Sequence, residues 1–432
     1  MSEPGTTQEA VTRVWREESA RLVGALTRLT RDLSLAEDLA QDALVAALQQ
    51  WPESGVPDNP AAWLMLTARR RAVDHFRRND TLRRRTTELG HALQRDLARE
   101  EAEMSDLDAL VDQIDDDVLR LIFLTCHPVL APGSRAALTL RLVGGLTVPE
   151  IARAFLTKDA TVGQRISRAK RTLEGQSFEL PVGPEREQRL DDVMGVLYLI
   201  FNEGYTATAG DDWARPDLCA EAIRVTRMLA GLGGLAGREP EIDGLLSLME
   251  LQASRLHART DAEGRPVLLD EQDRSRWDEL MIRRGLAALD RAMAAVADGR
   301  TAGPYLVQAQ IAACHARAAR AEETDWRAIA QWYDVLSGLG DNPVVEVNRA
   351  VAHGRAHGPE EGLAVLADVA GHRSLVASHL VPAVRGDLLA RAGRYAEAAD
   401  AFERAAALTG NEAERAVLAA RAEHARAGRS AR

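Results

Sequence analysis

Three sets of side chains in this sequence have types and spacings that could do chemistry, and in each the chemistry is recognition rather than bond-making. The first is Trp63, Thr67, Arg70, Arg71, Arg77 and Arg78, with Asp74 among them, which share one side of a helix at about 100° per residue. An aromatic ring and guanidinium planes can stack on unpaired bases while the charges hold phosphates. Between Ala61 and Thr86 eight arginines stand against only Asp74 and Asp80. The second set is Thr161, Gln164, Ser167, Arg168 and Arg171, flanked by Arg165 and Lys170. Its hydroxyl, amide and guanidinium donors suit base edges and phosphates in a major groove. The third is a compact polar and acidic stripe of Asp38, Gln41, Asp42, Val45 and Gln49. Taken alone, each could be a solvated helix face.

Enzyme chemistry is poorly supported. Cys126, Cys219 and Cys314 are scattered, so neither a disulfide framework nor a zinc cluster can be assembled from local spacing. His127 beside Cys126, and His257 near Glu250, lack the nucleophile, base and orienting partner of a catalytic set, and no Gly-rich phosphate loop lies nearby. We therefore expect no catalytic residue, no metal and no cofactor.

The elements that must position these residues are signalled locally. Ser34 and Glu37 have capping-box spacing ahead of the apolar pattern Leu35, Leu39, Ala43 and Ala46. A break over Trp51 to Asn59 follows, with two prolines and a glycine. Asn59 then reads as the N-cap of a helix opening at Pro60, with Met65, Ala68, Ala72, Val73 and Phe76 on its buried side. Thr147 and Glu150 form a second capping-box pair. It opens a short helix to Phe155, followed by a turn at Leu156 to Asp159 and a helix from Ala160 to Leu173, a helix-turn-helix pattern. Val162, Ile166, Ala169 and Leu173 are its docking face. Residues 79–116 open with Arg83, Arg84 and Arg85, turn acidic, and read as a solvated linker. Gly175 to Pro184 is the next boundary.

Composition agrees. The chain has 432 residues, 46% hydrophobic, 28% charged and 4% aromatic, which predicts an all-α protein of several domains. The net charge of −11 argues against nucleic acid only until its local distribution is considered. The N-terminus has no export signal and no run of about 18 apolar residues occurs, so neither export nor a membrane span is expected and the cytoplasm is the natural compartment. In the C-terminal part Gly393, Tyr395, Ala398, Phe402, Ala405 and Leu408 fit a tetratricopeptide helix pair. Weaker copies centre on Ala328 and Gly362, the three centres lying 34 and 36 residues apart.

Together these pieces resemble a bacterial RNA polymerase sigma factor of the extracytoplasmic-function type. AEDLAQDALVAAL (36–48) is similar to that family's polymerase-binding helix and NPAAWLMLTARRRAVDHFRR (59–78) to its promoter-melting helix. LAPGSRAALTLRLVGGLTVPEIARAFLTKDATVGQRISRAKRTL (130–173) is similar to its second conserved region. The resemblance implies a polymerase- and minus-ten-binding module over 1–78, the linker 79–116, and a minus-thirty-five-reading module over 117–175. Asp38, Gln41, Asp42 and Val45 would contact core polymerase, whose β′ clamp helices and β flap are the implied partners. The loop Trp51 to Asn59 would receive a flipped base. Trp63, Thr67, Arg70, Arg71, Arg77 and Arg78 would hold the opened strand, and Thr161, Gln164, Arg165, Ser167, Arg168 and Arg171 would read the upstream duplex. Arg70 stands where the family often has Asn, and Leu156 where it has Gly. Residues 185–432 resemble the tetratricopeptide-like extension of one subgroup, with LRLIFLTCHPVL (119–130) and LYLIFNEGYTATAG (197–210) similar to its signatures. That extension would regulate through a bound protein. Phe201 to Tyr205 are expected to form a turn buried against the sigma core. The alternative is a free-standing helix-turn-helix regulator with a helical-repeat sensor.

Overall fold

The computed structural model describes residues 4–80, 117–155, 157–205, 216–232, 239–261, 267–373, 375–376, 378–410 and 412–428. The predicted linker lies almost wholly outside the described residues. The protein is all-α, with no strand among the described residues, and it divides into two compact units, 1–199 with 231–236 and 200–230 with 237–432.

In the first unit, α1 (Pro4–Thr30) buries Val11, Trp15, Leu22 and Leu26, an i, i+4, i+11, i+15 stripe. Arg31 then takes a left-handed backbone conformation, φ 54°, and α2 (Leu33–Ser54) begins. Its N-cap is Asp32, whose carboxylate accepts the Ser34 and Leu35 amides at 2.9 and 3.0 Å. The capping box expected from Ser34 and Glu37 does not form. Asp32 already satisfies the first-turn donors, which frees Glu37 to turn inward, where it is buried.

Ala36, Leu39, Ala40, Ala43 and Ala47 form the buried face of α2, small enough to let α1 pack closely. The expected break at Trp51 is also corrected. The helix continues to Ser54 with Pro52 in its last turn, because Trp51 is 1% exposed and burying an indole offsets the roughly 3 kcal/mol a helical proline costs. Gly55, at φ 83°, ends it by donating to the Trp51 carbonyl at 3.0 Å.

Asn59 caps α3 (Pro60–Asp80) by accepting the Ala62 amide at 3.0 Å. Leu64, Ala68 and Ala72 are buried, while Met65, Val73 and Phe76 are half-buried.

Helix α4 covers 117–125, followed by α5 (Pro132–Leu142), α6 (Val148–Ala154) and α7 (Asp159–Leu173). The second capping box is present: Glu150 Oε2 accepts the Thr147 amide at 2.7 Å and Thr147 Oγ1 accepts the Glu150 amide at 3.4 Å. Val162, Ile166, Ala169 and Leu173 are the buried residues of α7, as the periodicity predicted. Helix α8 (Pro184–Tyr205) starts in this unit. Its Arg189 donates to the Phe123 carbonyl at 2.5 Å, and Asp192 accepts from Arg135 at 3.0 Å.

The second unit begins with the end of α8. Phe201 to Tyr205 are helical, not a turn. Phe201 and Tyr205 stack at 5.6 Å, and Arg259 both donates to the Tyr205 carbonyl and lies over its ring, so a guanidinium satisfies a helix end that would otherwise close in a turn. Then come α9 (Pro216–Gly231), α10 (Glu239–Ala253), α11 (Glu279–Ala297), α12 (Pro304–Arg317), α13 (Trp326–Gly338), α14 (Pro343–His357), α15 (Pro359–Val369), α16 (Leu380–Arg391), α17 (Tyr395–Leu408) and α18 (Glu412–Arg426).

From α10 onward each helix packs on its sequence neighbour. The core is a succession of clusters: Val307, Ile329 and Leu336; then Val347, Leu366 and Leu388; then Leu389, Phe402 and Leu418. Nearest-neighbour cores of this kind are the property of stacked helical repeats. Ala328, Gly362 and Ala398 fall on the alternate helices α13, α15 and α17. Gly386 is required because a Cβ there would sit 2.7 Å from the Phe402 ring. Glu241, buried on α10, accepts the Gly303, Tyr305 and Leu306 amides at 3.0 Å each and so caps α12 from 62 to 65 residues away.

Candidate nucleic-acid interface

The α3 face is built on the Asn59 cap and the buried Leu64, Ala68 and Ala72 stripe, which turn the opposite side outward. Arg70 is exposed and Thr67 half-buried. Trp63 is half-buried rather than free: its ring packs edge-on against Trp51, with centroids 5.4 Å apart. Arg71 pairs with Asp42 of α2 at 3.2 Å, so one member of the basic set meets one member of the acidic stripe. The side chains of Arg77 and Arg78 lie outside the described residues.

On α7 the buried apolar face and the exposed polar face separate cleanly. Thr161, Gln164, Ser167, Arg168 and Arg171 are exposed and Arg165 is half-buried. Leu156, in the turn, lies outside the described residues. Lys170, on the flank, is held in an ion pair by Glu37. On α2, Asp38, Asp42 and Val45 are exposed, Val45 by 48%. Gln41 is half-buried and donates to Glu37 Oε1 at 2.6 Å.

Sequence reasoning missed Glu37 and Arg141. Arg141 on α5 donates to Glu37 Oε1 at 2.7 Å across 104 residues of sequence. A carboxylate flanked by the buried Ala36 and Ala40 was the available signal, since a charge this deep requires partners.

The candidate enzyme residues do not come together. Burial pushes the Cys126 thiol up to about 11, and its partner is the Thr139 hydroxyl at 3.4 Å, not His127, whose Nδ1 accepts the Val129 amide at 3.1 Å. Glu250 is paired with Arg227 while His257 is exposed. Burial likewise raises Cys219, to about 12, so neither buried thiol is an available nucleophile near neutral pH. Among the described residues no group of His, Cys, Asp and Glu could hold a metal ion, and no helix is long and apolar enough to cross a membrane.

Comparison with known proteins gives this geometry its setting. Residues 14–81 match the model of sigma-70 region 2 and residues 120–173 that of sigma-70 region 4. Residues 189–293 match a family of unknown function, DUF6596. The chain is 44% identical over 405 residues to the uncharacterized protein R00370 of Rhizobium meliloti, covering 93% of this chain and 92% of that one. It is 27% identical over 187 residues to the probable ECF RNA polymerase sigma factor SigI of Mycobacterium tuberculosis, covering 42% of this chain and 60% of that protein's length. To the ECF RNA polymerase sigma factor SigK of Mycobacterium ulcerans it is 30% identical over 157 residues, 35% of this chain and 78% of SigK. No solved structure matches. The free-standing regulator leaves the region 2 match and the acidic stripe of α2 unaccounted for. Two sigma regions in order, with 30% identity to an extracytoplasmic-function sigma factor over 78% of its length, place this chain in the family of extracytoplasmic-function RNA polymerase sigma factors, with a long helical C-terminal extension.

Proposed function

We propose that this sigma factor directs core RNA polymerase through three faces with separate tasks. Asp38, Gln41, Asp42 and Val45 engage the β′ clamp helices, and the module over 117–175 engages the β flap. Trp63, Thr67, Arg70, Arg71, Arg77 and Arg78 hold the melted minus-ten strand, with the short loop 55–59 beside Trp63 taking a flipped base. Thr161, Gln164, Arg165, Ser167, Arg168 and Arg171 read the minus-thirty-five duplex. The extension over 185–432 regulates this activity by docking a peptide or helix of another protein against its stacked helices. The observation that carries the reading is the exposure of the α7 hydroxyl, amide and guanidinium face opposite the buried Val162, Ile166, Ala169 and Leu173.

A run-off transcription assay with purified core polymerase tests it: a defined start site that depends on the added chain is expected, and none would contradict the proposal. Because the net charge is −11, binding of the isolated protein to promoter duplex should be weak and become specific only with polymerase. A gel shift showing tight sequence-specific binding by the chain alone would refute that part.

A further inference from the structure

Two arginines of the second unit stand at the same place in successive repeats and close on one carboxylate. Arg355 on α14 and Arg391 on α16 are 36 residues apart, each seven residues ahead of its repeat centre, Gly362 and Ala398. Both bond Asp270 Oδ2, Arg391 at 3.4 Å. Asp270 belongs to neither repeat. It sits in a single 3₁₀ turn, Leu269–Glu271, in the connection between α10 and α11, 85 residues from Arg355 and 121 from Arg391.

The two guanidinium groups do not owe their positions to that aspartate. Arg355 lies over the Trp326 ring at 4.4 Å. Arg391 donates through Nε to Asp387 Oδ2 of its own helix at 2.8 Å, and Arg421 of α18 pairs with the other Asp387 oxygen. Cations fixed by their own repeats are preorganised for a guest. Asp270, by contrast, is lightly held: its side chain is 38% exposed and no residue of its turn is buried. The segment is anchored on either side of the turn instead. The Val267 amide donates to the Arg259 carbonyl at 2.8 Å, and Gln272 Nε2 donates to the Val267 carbonyl at 3.2 Å. Arg274 donates to the His315 and Ala318 carbonyls at 2.8 and 2.7 Å. An ion pair this open to water contributes little, so one aspartate side chain can rotate away while the anchors keep the backbone in place.

We propose that Arg355 and Arg391 form a docking site for an acidic segment of a partner protein, and that Asp270 is a built-in stand-in which fills the site until a carboxylate of that segment displaces it. The inference deepens the regulatory role proposed for the extension, and rests on it, by naming the chemistry that the stacked helices recognise. Paired arginines select carboxylates because their planar donors match carboxylate oxygens, and a carboxylate is what this pair already holds.

A fluorescein-labelled hexaglutamate peptide titrated into the full chain, followed by fluorescence anisotropy, tests the site. Asp270→Asn should raise its affinity by roughly 5-fold or more, since a site filled four-fifths of the time by its own aspartate shows about a fifth of its affinity. Asp270→Glu, which keeps the competing charge, should not. Adding Arg355→Gln or Arg391→Gln to Asp270→Asn should abolish the gain, and a hexaglutamine peptide should bind none of these chains. The net charge of −11 repels a polyanion at long range, so general attraction cannot imitate the result. No gain with Asp270→Asn, an equal gain with Asp270→Glu, or a gain that survives loss of the arginines would each overturn the site. Run-off transcription with Asp270→Asn, with and without the peptide, separates the two readings. Peptide binding gained with transcription unaltered leaves the site standing and counts against the regulatory role of the extension alone.

Discussion

Gln164 and Arg168 are exposed on α7, the state expected of side chains that pair with base edges. Replacing both with Ala should lower discrimination at the upstream element by roughly 10- to 100-fold, taking about 1–3 kcal/mol per lost pair as an upper measure, while affinity for core polymerase stays as it was. Promoter-variant run-off assays beside a polymerase pull-down check this, and lost polymerase binding would show that α7 has another task. At this scale the sequence was readable where a side chain faces water. Thr161, Gln164, Ser167, Arg168 and Arg171 were found by periodicity alone, because an exposed face needs only its own helix to define it. Trp63 was half right: its place on α3 was legible, but its edge contact with Trp51 depends on α2 continuing past Pro52.

At the scale of elements, the C-terminal helices hold two features open to test. His315 on α12 packs edge-on against Trp326 with centroids 5.3 Å apart. Burial, reinforced by Arg255 and Arg274, lowers it from 6.5 to about 4. The folded form thus prefers the neutral ring, and its stability is intact above pH 6.5 and drains away as pH falls toward 4, by roughly 3 kcal/mol in all. His315→Phe should flatten that part of the acid-stability curve, measured by denaturant unfolding between pH 7 and 4, and an unchanged slope would refute the assignment.

A Cβ added at Gly386 on α16 would sit 2.7 Å from the Phe402 ring, and the ring cannot yield freely because Arg421, paired with Asp387, lies over it at 4.4 Å. Gly386→Ala should therefore destabilise α16 and α17 by about 1–3 kcal/mol despite the better helix propensity of Ala. Amide exchange confined to those two helices is the measurement, and unchanged protection there would contradict it. Phe402 and Ala398 were visible in the repeat pattern, whereas the Glu241 cap of α12 was not, since a donor set 62 to 65 residues away leaves no local trace.

At the scale of the whole molecule, the regulatory role proposed for the extension is open to test by truncation. The first compact unit runs to Leu199 and includes Arg189 and Asp192, which bind back to Phe123 and Arg135. A chain ending at Gly175 should consequently melt several degrees below one ending at Leu199, since each lost buried contact is worth about 1 kcal/mol and such a change shifts Tm by a few degrees in a unit of this size. Identical melting would show that α8 lends the sigma modules nothing. If the extension regulates as proposed, the Leu199 truncation should transcribe without responding to the signal that controls the full chain. An unaltered response would remove the extension from regulation.

The sequence by itself determined the helical class, the order of the modules, the helix-turn-helix and the side of α7 that faces water. These follow from 3.6-residue periodicity and capping chemistry, which act within a few residues. Only the tertiary structure decided that Asp32 rather than Ser34 caps α2, that Trp51 is buried in a helix rather than offered in a loop, and that Glu37 is gripped by Arg141 and Lys170. The physical reason is the same in each case. Whether a polar or aromatic group is buried depends on which distant surface covers it, and a carboxylate that leaves water can only be stable where packing brings cations to it.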